Sequence, residues 1–305
     1  MVGIAEISKY WMTTEIILFN ILGNFGNFNL LWLTFRRKEL RTKPGYLLAI
    51  NALFQSVCLL SLFINIAVIL SERKISRRDC YPMVTPYTIA ISMQAPMALA
   101  IATDLFIALL LPIRYRNLPT FLYVAGLCTP GMVYALVVTA FGWAMLNDDM
   151  LSLCNVVVGL HPIVSSFWTF SNVVMNFLVL AVYMGFFVVL KFNYNPAAYN
   201  EHRRVVRRLT VIVIVFVFSW FLALLGAQIF SMLHFSPDVL PYLQSNMIFF
   251  ACICFSQNFY ICVWRSHDYR RAFLDQISVF RRRTKPSVAI SLSGTGERKL
   301  KAWDR

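Results

Sequence analysis

Cys80-Tyr-Pro-Met-Val-Thr-Pro-Tyr-Thr-Ile-Ala-Ile-Ser-Met-Gln-Ala-Pro-Met-Ala-Leu-Ala-Ile-Ala-Thr-Asp104, continuing Leu-Phe-Ile-Ala-Leu-Leu-Leu-Pro-Ile-Arg-Tyr115, decides how this chain is read. It opens on a cysteine in a charged loop and runs apolar from Met83 to Leu111. As one helix rising about 1.5 Å per residue, it separates Cys80 from Asp104 by about 36 Å, a little more than a hydrocarbon core of about 30 Å. Cys80 and Asp104 therefore belong to opposite faces of a membrane.

The rest of the chain agrees. Of 305 residues, 59% are hydrophobic and only 14% charged, a composition foreign to a soluble domain. The net charge of +14 would suggest nucleic acid in a soluble protein. Here the basic residues fall in short bursts between apolar segments, so they report topology and no nucleic-acid partner is expected. No short apolar stretch with a small-residue cleavage site opens the chain, and the first apolar segment is expected to act as an uncleaved anchor.

Segments long enough to span lie near Thr13 to Phe35, Tyr46 to Leu70, Met83 to Leu111, Phe121 to Leu146, Ile163 to Leu190, Leu209 to Leu233 and Val239 to Val263. The fold class expected is thus an all-α membrane protein, a bundle of seven transmembrane helices, in which Pro130-Gly131 interrupts the fourth span and a kink there is tolerable. With the N-terminus outside, 23 of the 28 Lys and Arg fall in the inner segments. The outer five are Lys9, Arg73, Lys74, Arg77 and Arg78, the last four a cluster that opposes the rule locally. The expected organisation is an extracellular N-terminus (1–12), a seven-helix bundle (13–265), an amphipathic cytosolic helix (266–280) and a basic, Ser-rich, disordered tail (281–305). In the amphipathic segment Tyr269, Phe273, Ile277 and Phe280 lie near one face with arginines elsewhere.

Several stretches carry a family resemblance. Asp104, Leu105, Phe106, Ala108, Pro112 and Tyr115 resemble the end of the third helix of rhodopsin-like seven-helix receptors, with Leu105 where those have arginine. Gly26-Asn27 resembles the Gly-Asn pair of their first helix, while Gly23 and Asn24 read as helix-packing residues. Gln55 stands where they carry an ion-binding aspartate, so no sodium site is expected. Phe216-Val-Phe-Ser-Trp220 resembles their sixth-helix aromatic pattern, with Leu222 replacing the kinking proline. Asn258 aligns with the asparagine of their seventh-helix motif, with Phe259 replacing proline and Cys262 tyrosine. A second register, with Tyr260 as the motif tyrosine, would spoil the helix that follows. Together with Gly45-Tyr-Leu-Leu-Ala-Ile-Asn51, Thr103 to Arg116, Ser256-Gln-Asn-Phe-Tyr260 and Trp264-Arg-Ser, these stretches look like the nematode Srsx family of serpentine chemoreceptors, from about Gly23 to Phe273.

That resemblance implies a chemosensory G-protein-coupled receptor of the plasma membrane, in sensory neurons and their cilia, with a small-molecule or peptide ligand and a heterotrimeric G protein as partners. It implies a disulfide between Cys80 and Cys154, which both fall in segments assigned to the oxidising side. Candidate ligand contacts in the outer half are Tyr87, Thr88, Ser92 and Gln94, Trp220 and Gln228, and Tyr242, Gln244, Ser245 and Asn246. None is charged, which favours a small neutral odorant or a short peptide over an amine. Candidate G-protein-coupling residues are Asp104, Leu105, Pro112, Tyr115, Arg203, Arg204, Arg207 and Arg208, the arginines reading equally as a topology signal. Asn27, Gln55 and Asn258 are expected to bond within the bundle. Neither a nucleophile with its base nor a metal-binding cluster occurs, so no enzyme, metal or cofactor is expected. A seven-helix ligand-gated channel or a weakly coupled receptor are the alternatives. A transporter is disfavoured by the lack of internal repeats and mid-membrane charge.

Overall fold

The computed structural model describes residues 4–71, 74–151, 153–192, 196–233 and 240–283. In chain order they form α1 (Ile4–Arg36), a 3-10 turn (Lys38–Leu40), α2 (Lys43–Ser71), β1 (Ile75–Ser76), α3 (Arg77–Ser92), α4 (Gln94–Leu110) and α5 (Pro112–Asn117). There follow α6 (Thr120–Ala144), β2 (Met150–Leu151), α7 (Val156–Gly159), α8 (Pro162–Phe192), α9 (Pro196–Met232), α10 (Leu240–Asn246), α11 (Ile248–Arg265) and α12 (His267–Arg283).

Seven spans result: α1, α2, α3 with α4, α6, α8, α9, and α10 with α11. By their described residues six are long and apolar enough to cross a membrane, and α9 is apolar over Thr210–Ala223. The polarity is that of a protein in lipid. Phe121, Phe170, Phe177 and Phe218 face outward, while Asn27, Gln55, Asn172 and Asn258 are fully enclosed. In hydrocarbon the backbone must satisfy itself, so each crossing is a helix.

Packing places the third span at the centre, with α4 touching α2, α6, α8 and α9. At Gly23 of α1, an added Cβ would collide with Ser256 of α11 and Leu59 of α2, so glycine sets how closely these three helices meet.

The helix breaks fall in the third and seventh spans. The fourth span runs through Pro130 as one helix. The third, which begins at Arg77 and not Met83, turns at Met93. Pro96 has no N–H to give the Ser92 carbonyl, while Met97 still bonds back to Met93, so the ladder steps around one missing rung. The seventh span breaks at Met247, where three-residue bonds from Met247 to Gln244 and from Phe250 to Met247 tighten the turn. The thioether of Met247 lies in the notch over Gly226 of α9, where any Cβ would strike it. The sixth-span helix begins at Pro196, well before Leu209.

The amphipathic helix expected over 266–280 is α12. Arg270 holds the end of α11, its guanidinium donating to the carbonyls of Val263 (3.1 Å) and Trp264 (2.6 Å). Tyr269 and Ala272 are buried, and Phe273 packs edge-on against Phe259 (5.1 Å) and Phe25 (6.4 Å). Ile277, on the same expected face, stays exposed, and the Phe280 side chain and the tail beyond Arg283 lie outside the described residues.

Candidate functional site

At one end of the bundle Cys80, in the first turns of α3, forms a disulfide with Cys154, their Cα atoms 5.8 Å apart. The loop carrying Cys154 is held by a two-stranded antiparallel pair, Ile75 against Leu151 and Ser76 against Met150. Arg77, buried, donates to Asn147 (2.5 Å) and to Asp149 (2.8 Å), and exposed Arg78 pairs with Asp148 (3.1 Å). These bonds and the neighbouring Asn147 hold the Asp149 carboxyl below its usual range. They also account for the basic cluster that breaks the charge rule, since two of its members are neutralised by the next loop.

Beneath the disulfide the interior is polar. On α3, Tyr87, Thr88 and Ser92 are buried, with the Thr88 hydroxyl donating to the Val84 carbonyl (3.1 Å). Gln94 donates to the Ala90 carbonyl (3.0 Å). Trp220 stacks on Phe216 (6.0 Å, 12°) and meets Trp168 edge-on (6.3 Å) and Phe255 obliquely (6.1 Å). The Ser92 Oγ, the Gln94 Oε1, both indole nitrogens and the Asn172 and Asn176 Oδ1 are buried without a hydrogen-bond partner among the described residues. Such atoms are rare in a finished core. Trp168, Asn172 and Asn176, on α8, were not among the candidates, because nothing in their spacing sets them apart from other polar residues of a span. Gln244 is half-buried on α10, and Asn246 donates to the Ser8 hydroxyl of α1. The side chains of Gln228, Tyr242 and Ser245 lie outside the described residues.

Asn27, Gln55 and Asn258 come together. Asn258 Nδ2 donates to Gln55 Oε1 (2.9 Å), Gln55 Nε2 to the Cys254 carbonyl (3.1 Å), and Asn27 Nδ2 to the Phe255 carbonyl (3.0 Å). Three spans are thus stitched at mid-depth by amides, whose burial is affordable because each donor has an acceptor.

At the end of the bundle near α12, the buried Asp104 carboxylate accepts from the Tyr115 hydroxyl (3.0 Å). Tyr115 is on α5, which Pro112 starts as first residue. The ammonium of Lys43, buried at the start of α2, donates to the Tyr115 carbonyl and lies over the rings of Tyr115 (4.2 Å) and Tyr123 (5.4 Å). Those rings meet edge-on at 5.6 Å. The Tyr123 hydroxyl makes no hydrogen bond of good geometry among the described residues, yet it and the Lys43 charge both bear on the Asp104 carboxyl. Burial, then the adjacent Asp104 charge, push the Tyr115 phenol up. Leu105 is buried and Pro112 exposed. The side chains of Arg203, Arg204, Arg207 and Arg208 lie outside the described residues. Lys43 and Tyr123 escaped the sequence reading because they join Asp104 from two other spans.

One further polar residue was passed over: Glu15 of α1, 5% exposed, with neither carboxylate oxygen hydrogen-bonded.

A comparison with curated proteins finds no match. The model of the family described as serpentine type 7TM GPCR chemoreceptor Srsx matches residues 20–277, from the middle of α1 into α12, and the chain belongs to that family.

Proposed function

We propose that this receptor lies in the plasma membrane with its N-terminus outside, and that it binds a small molecule or short peptide in the half of the bundle nearer the disulfide. The α12 end then meets a heterotrimeric G protein in the cytosol. A ligand that binds better to one of two arrangements of the helices shifts their populations, and the shift at one end is read at the other.

The observation that carries this reading is a set of buried polar atoms without a hydrogen-bond partner among the described residues, on Trp168, Asn172 and Asn176 of the fifth span and Trp220 of the sixth, the two indoles meeting edge-on. A ligand there would bond to groups the protein leaves unused, between helices whose far ends carry the candidate coupling residues. Asp104, Tyr115 and Lys43 then restrain the connection between the third and fourth spans at rest. They replace a lock that would need arginine where Leu105 is buried. That substitution favours one second reading, a receptor with weak coupling.

The test is second-messenger output in heterologous cells exposed to an odorant and peptide panel, for wild type and Leu105→Arg, with and without G-protein blockade. Ligand-evoked output from wild type that disappears on blockade is the expected result. Output from Leu105→Arg alone would establish the weakly coupled reading. Currents that survive blockade would replace the receptor with a channel.

A further inference from the structure

Glu15 and Asp104 are the two buried carboxyl groups among the described residues. Tyr115 answers Asp104; nothing answers Glu15, whose oxygens have neither a hydrogen bond nor an ion pair among those residues. The Trp11 indole lies one turn away and makes no hydrogen bond of good geometry with either oxygen. A carboxyl enclosed this way is costly in a bundle as the bare anion, and either a proton or a cation must meet it.

Its position is that of a ligand contact. Glu15 stands 21 residues before Arg36, about 31 Å along the helix, and so at the membrane level of the disulfide end. It lies between two contacts with the seventh span, Ser8 with Asn246 and Phe19 with Phe249 (5.6 Å). This is the level of the break at Met247, beneath α10, which carries Tyr242, Gln244 and Ser245. The Cys252 thiol of α11 is within electrostatic reach. On α2, Asn65 donates weakly to the Met12 thioether (3.9 Å), which places it on the face of α1 that Met12 shares with Glu15. The Asn65 Oδ1 is also buried and unbonded.

We infer that Glu15 is the counter-ion for a protonated amine, bound between α1, α2 and the seventh span. The site deepens the receptor reading above and rests on it. Two carboxylate oxygens and the Asn65 carbonyl are three acceptors, the number a primary ammonium satisfies with its three N–H donors. Phe19 and Phe249, both only partly buried, offer apolar surface to an alkyl or aryl body. Among the described residues, Arg77 and Arg78 bind Asp149 and Asp148, Lys9 is about 120° round the helix from Glu15, and no ion pair joins Glu15 to a cation. A metal ion fits less well, because no group of three His, Cys, Asp or Glu among the described residues could hold one. The absence of charge among the earlier candidate contacts, which favoured a neutral ligand, no longer applies once Glu15 is counted.

The experiment measures thermal unfolding of purified receptor with phenethylamine, isoamylamine and cyclohexylamine, each beside its isosteric alcohol, and with sodium chloride at matched ionic strength. At least one amine should raise the Tm of wild type while its alcohol and sodium do not. Its apparent affinity should fall about tenfold or more in Glu15→Gln. No amine-specific shift in wild type, an undiminished shift in Glu15→Gln, or a shift that sodium reproduces would each overturn the site. If Glu15→Gln fails to fold, Asn65→Leu takes its place: it removes the third acceptor and should weaken the same amine, and an undiminished amine affinity there overturns the site. Because binding is read without a G protein, an amine shift in a silent receptor supports the site while removing the coupling. G-protein output evoked by neutral odorants without any amine shift does the reverse.

Discussion

At the disulfide end, a covalent bond, a short strand pair and two Arg–Asp pairs tie the loops on either side of the third span together. At the α12 end the loops are held by a tyrosine hydroxyl on Asp104, a lysine over two aromatic rings, and one ion pair, Arg37 with Asp275 (3.1 Å). The first end is fastened by a covalent bond that does not exchange on the timescale of helix motion, the second only by contacts that each contribute about 1 kcal/mol and can be traded for others. A bundle built this way has one fixed rim and one that can rearrange.

Breaking the fixed rim should have the largest effect. Cys80→Ser opens a loop of 74 residues and should cost about 4 kcal/mol, seen as a large fall in Tm and in surface delivery. A Tm matching wild type would mean that the strand pair and ion pairs suffice without it. Next comes the layer between the rims. Asn258→Leu strands the Gln55 amide oxygen and should cost about 1–3 kcal/mol, whereas Gln55→Leu combined with Asn258→Leu should recover part of that loss. Strict additivity in a double-mutant cycle would show that the two amides do not act as a pair.

The other rim is probed more gently. Tyr115→Phe removes the hydroxyl from Asp104, and a loss of about 1 kcal/mol in the resting arrangement should raise ligand-free second-messenger output about fivefold. Unchanged basal output would mean that this contact restrains nothing. Asp275→Asn, at a half-exposed pair, should change Tm by no more than about 1 kcal/mol allows. The smallest effect should come from pH. The Asp149 carboxyl is held below its ordinary range, so its contribution is present above about pH 4 and is lost as pH falls through the lowered value. The Tm difference between wild type and Asp149→Asn should therefore shrink in acid; a constant difference would rule out this origin.

The spans could be read from the sequence because lipid demands long uninterrupted apolar runs, and the pairing of Cys80 with Cys154 because family resemblance and compartment agreed. Asn27, Gln55 and Asn258 stood out as amides where hydrocarbon was expected. The helix breaks did not. Pro130 drew attention, yet α6 passes it, while the turn at Met93 follows from Pro96 and the one at Met247 from packing over Gly226. Lys43 had been counted only as one basic residue among several at the inner face. Its place over Tyr115 and Tyr123 exists only once three spans are assembled. Glu15 was overlooked because a carboxyl near the start of a span resembles an interfacial charge until its burial is known.

The length of α9 has a mechanical corollary. Its 37 residues extend about 55 Å, and no proline follows Pro196 to bend it. Trp220, clasped by Phe216, Trp168 and Phe255, sits about 36 Å from the Pro196 end and about 18 Å from the Met232 end. A stiff rod pivoting there is a lever with arms of about two to one. A displacement of one ångström near the disulfide end sweeps about two at the far tip, so the missing sixth-helix proline exchanges a hinge for leverage.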